Sequence, residues 1–146
     1  MLSFDDFIKK RDGQGIDYDN SFGFQCVDLY DQYCVEVVGS PVILIPAAKD
    51  IWNKYPTDYF DKIVNTLTGC PLKGDIVIWG TGIGEFGHVA VFVQGDANSF
   101  RSFDQNFPVG SRCHIQNHPN YTGVLGWLHP IKTSEPTITI SAKDRD

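Results

Sequence analysis

Apolar positions recur at helical spacing in the first third of the chain and at alternating spacing after Pro71. Leu2, Phe4, Phe7 and Ile8 share one side of a predicted helix, with Ser3 placed as its cap and Gly13 as its stop. From Cys26 to Val38 the apolar set is Val27, Tyr30, Cys34, Val37 and Val38, again helical, and Gly39-Ser40-Pro41 ends it. A short third helix is expected between Ala47 and Tyr55. Beyond Pro71 the stretches GDIVIWG (Gly74 to Gly80), HVAVFVQ (His88 to Gln94), NSFRSFDQN (Asn98 to Asn106), a shorter run at Cys113 to Gln116, and GVLGWLHP (Gly123 to Pro130) read as strands separated by turn residues. Helices first and antiparallel strands after them make an α+β fold. The polar residues 132–146 read as a linker or disordered tail, so the folded domain is expected over residues 1–131.

Composition narrows the class. A chain of 146 residues is one domain by default and can bury a core without staples. Hydrophobic residues at 42% and charged ones at 21% fit neither a disordered nor a membrane class. A formal net charge of −6 counts against nucleic acid as a partner, because that footprint needs clustered Lys and Arg. The opening MLSFDDFIKKRDG has acidic residues where a secretory signal needs basic ones, and no run is long enough to span a bilayer. The four cysteines form no C-x-x-C and no zinc spacing, and three of them are expected to be buried small hydrophobes.

Three features carry candidate chemistry. The first is Cys26, at the start of its helix, where unpaired N–H groups favour a developing anion; a plain core cysteine on the first turn is the other reading. The second is His88, which shares strand parity with Ala90 and Phe92, as Asp104 and Asn106 share parity with Phe100 and Ser102. If Gly95-Asp96-Ala97 forms a three-residue hairpin loop, His88 faces Asp104 directly, and a carboxylate there can orient the imidazole. A base with its orienter is half of a nucleophilic triad. The third is the loop before the cysteine. Counted from Asp17 as position one, Asp19 is third, Ser21 fifth, Gly23 seventh and Asp28 twelfth, the ligand spacing of an EF-hand-type calcium loop. Phe22 at position six replaces the usual Gly, and Asp28 at twelve replaces Glu. An Asx-rich turn that caps the helix without metal fits the same residues. The glycine-rich WGTGIGEFGH lacks the Lys-Ser/Thr of a phosphate loop and leads into a strand, so it reads as a flexible connection at the rim of the site. Trp52, Trp79, Trp127 and Phe103 either line a groove or pack the core.

In this order, FGFQCVDL, GDIVIWG, GHVAVFV and SFDQN resemble the cysteine, histidine-dependent amidohydrolase/peptidase (CHAP) domain, especially that of bacteriophage endolysins and related wall hydrolases. The resemblance runs from about Phe4 to Pro130. It implies a papain-like α+β fold, with N-terminal helices packed on a twisted antiparallel sheet. Residue by residue it implies Cys26 as nucleophile, His88 as general base, Asp104 as its orienter and Asn106 as the polar fourth residue. Gln25 resembles a residue that assists the oxyanion hole. It also implies Ca2+ held by Asp17, Asp19, Ser21, Gly23 and Asp28, with Ser21 and Gly23 ligating through backbone carbonyls. The implied substrate is an amide of bacterial peptidoglycan, cut by an N-acetylmuramoyl-L-alanine amidase or a D-alanyl-glycyl-type endopeptidase. The implied setting is the bacterial cell wall, reached from the host cytoplasm if a phage encodes the chain. A monomer working with a separate cell-wall binding domain is expected. A papain-like peptidase acting on proteins, and a calcium-dependent wall-binding module without turnover, are the alternatives.

Overall fold

The computed structural model describes residues 1–131; the tail expected at 132–146 lies outside the described residues. The first helix, α1 (Phe4–Arg11), begins as the sequence indicates: Ser3 Oγ accepts from the amide of Asp6 at 3.1 Å. Asp5 and Asp6 in its first turn and Lys9, Lys10 and Arg11 in its last complement the helix dipole. Lys10 and Arg11 close on Glu36 at 2.9 and 2.5 Å, tying α1 to the end of the next helix. That helix, α2 (Cys26–Tyr33), continues into a π-helical turn over Cys34–Val38. Gly39 ends it with φ 78°, a left-handed conformation that glycine adopts without a Cβ penalty. The third helical segment is 3-10, Ala48–Asn53.

Six strands follow: β1 (Phe60–Val64), β2 (Ile76–Trp79), β3 (His88–Gly95), β4 (Phe100–Asp104), β5 (His114–His118) and β6 (Val124–Pro130). They form one antiparallel sheet in the order β1-β6-β2-β3-β4-β5. The edge strand β1 was not expected. Only Phe60 of its five residues is buried, so no two-residue apolar period marks it, and backbone pairing to β6 holds it.

Both faces of the central strands are covered, which is why β2 and β3 read as continuous apolar runs. On one face Ile76, Ile78, Val89, Val91, Phe103 and Leu128 pack with Phe7, Leu29, Tyr33 and Ile51 from the helices. On the other, Val77, Trp79, Ala90, Phe92, Phe100 and Trp127 form a second, aromatic cluster. Trp79, Trp127 and Phe103 are therefore core residues, while Trp52 is half-buried with the Lys62 ammonium 4.3 Å from its ring centroid. The cysteine expectation needs correction: Cys34 and Cys113 are buried, Cys26 is half-buried and Cys70 is exposed, all as free thiols. Among the described residues no helix is long and apolar enough to cross a membrane.

Candidate active site

The hairpin joining β3 to β4 differs from the expected one. Gly95 pairs with Phe100, and Asp96 donates its amide to the Ser99 carbonyl, so the loop has four residues, Asp96 to Ser99. Continued down the strands, that register would turn Asp104 to the helix side of the sheet. A bulge between Phe92 and Gln94 prevents this. The additional residue, Val93, restores the pairs Phe92–Ser102 and Val91–Phe103. Asp104 therefore lies on the face of His88, but diagonal to it, not directly opposite. That diagonal is within reach of an imidazole, and His88 Nε2 meets Asp104 Oδ2 at 2.7 Å.

Packing of α2 against β3 brings Cys26, the first residue of the helix, beside His88, the first residue of the strand. His88 is buried between Trp79 and Phe107, with ring centroids 5.0 and 4.9 Å away. Burial alone would lower its pKa; the hydrogen bonds and charges of Asp104 and Cys26 raise it instead to about 9. Asp104 is wholly buried. Burial would raise its carboxyl too, but hydrogen bonds from His118 and His88, with their charges, hold it below the ordinary value.

Three further groups complete the site, and sequence reasoning gave none of them a role. His118 Nε2 lies 3.2 Å from Asp104 Oδ2, and the Ser102 hydroxyl donates to Asp104 Oδ1. Gln105 is fully buried on the helix side of β4. Its Oε1 accepts from the Ile16 amide at 2.7 Å, and its Nε2 donates to the carbonyls of Ile16 and Gln25, each at 2.8 Å. Gln105 thus clips together both ends of the loop that leads into Cys26. A polar residue at a core-facing strand position was the available signal. No comparable signal marked His118, which lies beyond the run read as a strand.

Asn106 and Gln25 are placed together. Asn106 Nδ2 donates to Gln25 Oε1 at 3.3 Å, and its Oδ1 accepts from the Gly110 amide at 2.6 Å. Gln25 spends one amide hydrogen on the Phe22 carbonyl at 2.7 Å. The acidic loop also converges: one carboxylate oxygen from each of Asp17, Asp19 and Asp28 lies within 4.8 Å of the others. The sharp turn that lacked a glycine at position six is made by left-handed backbone at Asn20 (φ 57°), Phe22 (φ 64°) and Gly23 (φ 71°). Ser21 donates its amide to Asp17 and Asp19, an Asx-type turn, and Asp28 Oδ2 accepts from the Gln25 amide to cap α2. Helix capping and carboxylate clustering therefore coexist in one loop. Among the described residues none of the three carboxylates has an ion-pair partner. Burial, then the charges of Asp19 and Asp17, push Asp28 up to about 6.

Comparisons with known proteins agree with this geometry. A family model described as CHAP domain matches residues 15–106. Endolysin PlyTW of Staphylococcus phage Twort is 27% identical over 143 residues, covering 90% of this chain and 30% of its own length. The D-alanyl-L-alanine endopeptidase of Streptococcus phage B30 is 30% identical over 101 residues, covering 63% of this chain and 21% of its own length. The chain thus spans less than a third of either curated relative. Among solved structures, the endolysin LysIME-EF1 superposes with a TM-score of 0.72 at 26% identity, covering 91% of this chain and 67% of that one. Ly7917 superposes at 0.65 with 16% identity over 88% of this chain and 62% of that one, a likeness of fold alone. A papain-like sheet-and-helix architecture, a helix-start cysteine beside a strand-start histidine, and a match across most of the folded region together place this chain in the CHAP domain family.

Proposed function

We propose that this chain is a cysteine hydrolase that cuts an amide bond of bacterial peptidoglycan. The observation that carries the reading is the meeting of Cys26, His88 and Asp104, remote in sequence, at one site: a half-buried thiol beside a buried, hydrogen-bonded His88–Asp104 pair. Asp104 accepts the Nε2 hydrogen of His88, which leaves Nδ1 to take the thiol proton. The Cys26 sulfur attacks the amide carbonyl, and the first N–H groups of α2, with the remaining amide hydrogen of Gln25, stabilise the oxyanion. His88 then protonates the leaving amine. Water, deprotonated by His88, releases the acyl group from the sulfur. Asn106 holds Gln25 in place. The name of the Streptococcus phage B30 relative favours a peptide–peptide amide over the amidase bond. Access to the wall in this reading comes from a separate binding domain, with the chain acting as a monomer.

The acidic loop fits calcium: its donors are hard oxygens, gathered and mutually repelling. Asp17, Asp19 and Asp28 would hold the ion through carboxylates, and Ser21 and Gly23 through backbone carbonyls. Bound calcium supplies charge neutralisation and a fixed approach of the chain into α2. The loop residues do the rest, since Gln25 and Asp28 set the first turn on which Cys26 sits.

Mass spectrometry of digested peptidoglycan identifies the bond, because each cut leaves a new amino terminus. Cys26→Ala should abolish wall lysis, a loss on the order of a thousandfold or more, while leaving the melting temperature near that of the parent. Retained lysis in Cys26→Ala would end the proposal. Chelation and Asp19→Ala should each lower lysis and melting temperature together; full activity and unchanged melting in chelator would remove the calcium role.

A further inference from the structure

Asp104 is shared. Its Oδ2 takes both His88 Nε2 and His118 Nε2, at 2.7 and 3.2 Å, while its Oδ1 takes the Ser102 hydroxyl. An ionised carboxylate only accepts, so each of these groups must donate, and both imidazoles carry hydrogen on Nε2. The His118 ring is fixed for this task. It stacks on Phe100 (centroids 4.7 Å, planes 19° apart) and on Phe107 (5.7 Å, 16°), and Trp79 tilts against it at 4.9 Å. Its strand is in register too, since His118 pairs with Phe100 and His114 with Asp104.

We propose that His118 is a positioning residue for the reaction: its donated Nε2–H holds the Asp104 carboxylate aimed at His88. The inference rests on the proposed roles of Cys26, His88 and Asp104. A carboxylate at zero exposure needs several donors to stay charged. Two of the three here come from outside the Cys26–His88–Asp104 set. The charged and titratable groups facing His118 are Asp104 on β4 and, behind it, His88 on β3 with Cys26 of α2 beyond. On its outer side His118 lines an open cleft with Asp96 and Arg101, and His114 shares its strand. Removing His118 weakens the hold on the carboxylate that fixes the His88 tautomer. It does not touch substrate, so catalysis should fall with binding unchanged.

His118→Phe keeps the aromatic stack and deletes the donor, whereas His118→Gln keeps a donor at the position of Nε2. In His118→Phe, kcat on wall fragments should fall about tenfold at constant KM, the cost of one charge-assisted hydrogen bond. The acid limb of the pH–rate profile should move up by about one pH unit, because Asp104 then needs higher pH to stay ionised. The ring nitrogen chemical shifts of His88, followed by nuclear magnetic resonance above pH 9 where the ring is neutral, should show loss of the single Nε2–H tautomer. His118→Gln should stay within about threefold of the parent, as a retained donor requires. Native His88 shifts and an unmoved pH profile in His118→Phe would overturn the proposal. So would a folded His118→Gln as impaired as His118→Phe, since the ring and not its donor would then matter. The His88 shifts are read without turnover. A failure of the hydrolase reading, seen as lysis by Cys26→Ala, is therefore separable from a failure of the His118–Asp104–His88 linkage.

Discussion

Replacing Gln105 by glutamate turns the clip on the cysteine loop into a pH-dependent one. In the parent, Gln105 Oε1 accepts from the Ile16 amide while Nε2 donates to the carbonyls of Ile16 and Gln25. Glutamate keeps the acceptor but sets a second oxygen against two carbonyls. Each buried acceptor left without its donor costs about 1–3 kcal/mol, and a buried charge adds to that. We expect a loss of about 4 kcal/mol at neutral pH, roughly 15 °C in melting temperature for a domain of this size. When the carboxyl is protonated it donates to one of the two carbonyls, so the loss shrinks to about 1–2 kcal/mol. The sign follows from linkage: the new carboxyl has a folded pKa above its unfolded value. Its favourable contribution is full below an unfolded pKa of about 4.3 and is lost as pH rises through the folded one. Urea unfolding of parent, Gln105→Glu and Gln105→Leu at matched acidic and neutral pH tests this. The glutamate deficit should grow with pH while the leucine deficit stays constant. Equal, pH-independent deficits for both variants would refute the assignment of Gln105 as donor to Ile16 and Gln25.

Gly87 precedes His88 with φ 72°, and a Cβ there would lie 2.4 Å from the Trp79 carbonyl oxygen. Gly87→Ala should therefore cost about 3 kcal/mol or more, read by thermal melting, and should reduce lysis by displacing His88. Ser102→Ala, which removes a buried donor from Asp104, should cost about 1–3 kcal/mol in urea melts and also slow lysis; an unchanged rate would separate Ser102 from the reaction. Burial opposes charging of His88, but Asp104 and Cys26 raise its pKa from 6.5 to about 9, a linkage on the order of 3 kcal/mol. That stability is present in full below pH 6.5 and is lost as pH rises through 9. The corresponding slope in pH-dependent unfolding should disappear in His88→Gln.

How much of this was legible beforehand depended on whether a local pattern carried it. The α2 helix, its end at Gly39, and strands β2, β3 and β6 were readable because apolar spacing and turn residues agreed there. The edge strand β1 was not, since its partner β6 supplies the pairing and its own side chains mostly face water. Cys26, His88, Asp104, Asn106 and the acidic loop were found through spacing and motif, and the structure brings them together in two adjoining groups. A three-residue hairpin without a bulge would set Asp104 directly opposite His88; the four-residue tip and the Val93 bulge together keep the same face but shift the register. Gln105 and His118 were out of reach for another reason. Their roles come from contacts with Ile16, Gln25 and Asp104 that only the closed sheet and the packed loop create.

The bulge at Val93 has a consequence for anyone lengthening or trimming this hairpin. Tip length and bulge are a matched pair: removing one residue from the Asp96–Ser99 tip, or Val93 alone, exchanges the inner and outer sides of β4 relative to β3. Asp104 would then point among the helices and Gln105 toward the aromatic cluster, so one deletion would unmake both the His88–Asp104 hydrogen bond and the clip on the cysteine loop. Removing both residues together leaves the parity intact. Changes of hairpin length among CHAP domains should accordingly come in compensating pairs, and grafts of this segment should carry Val93 with the tip.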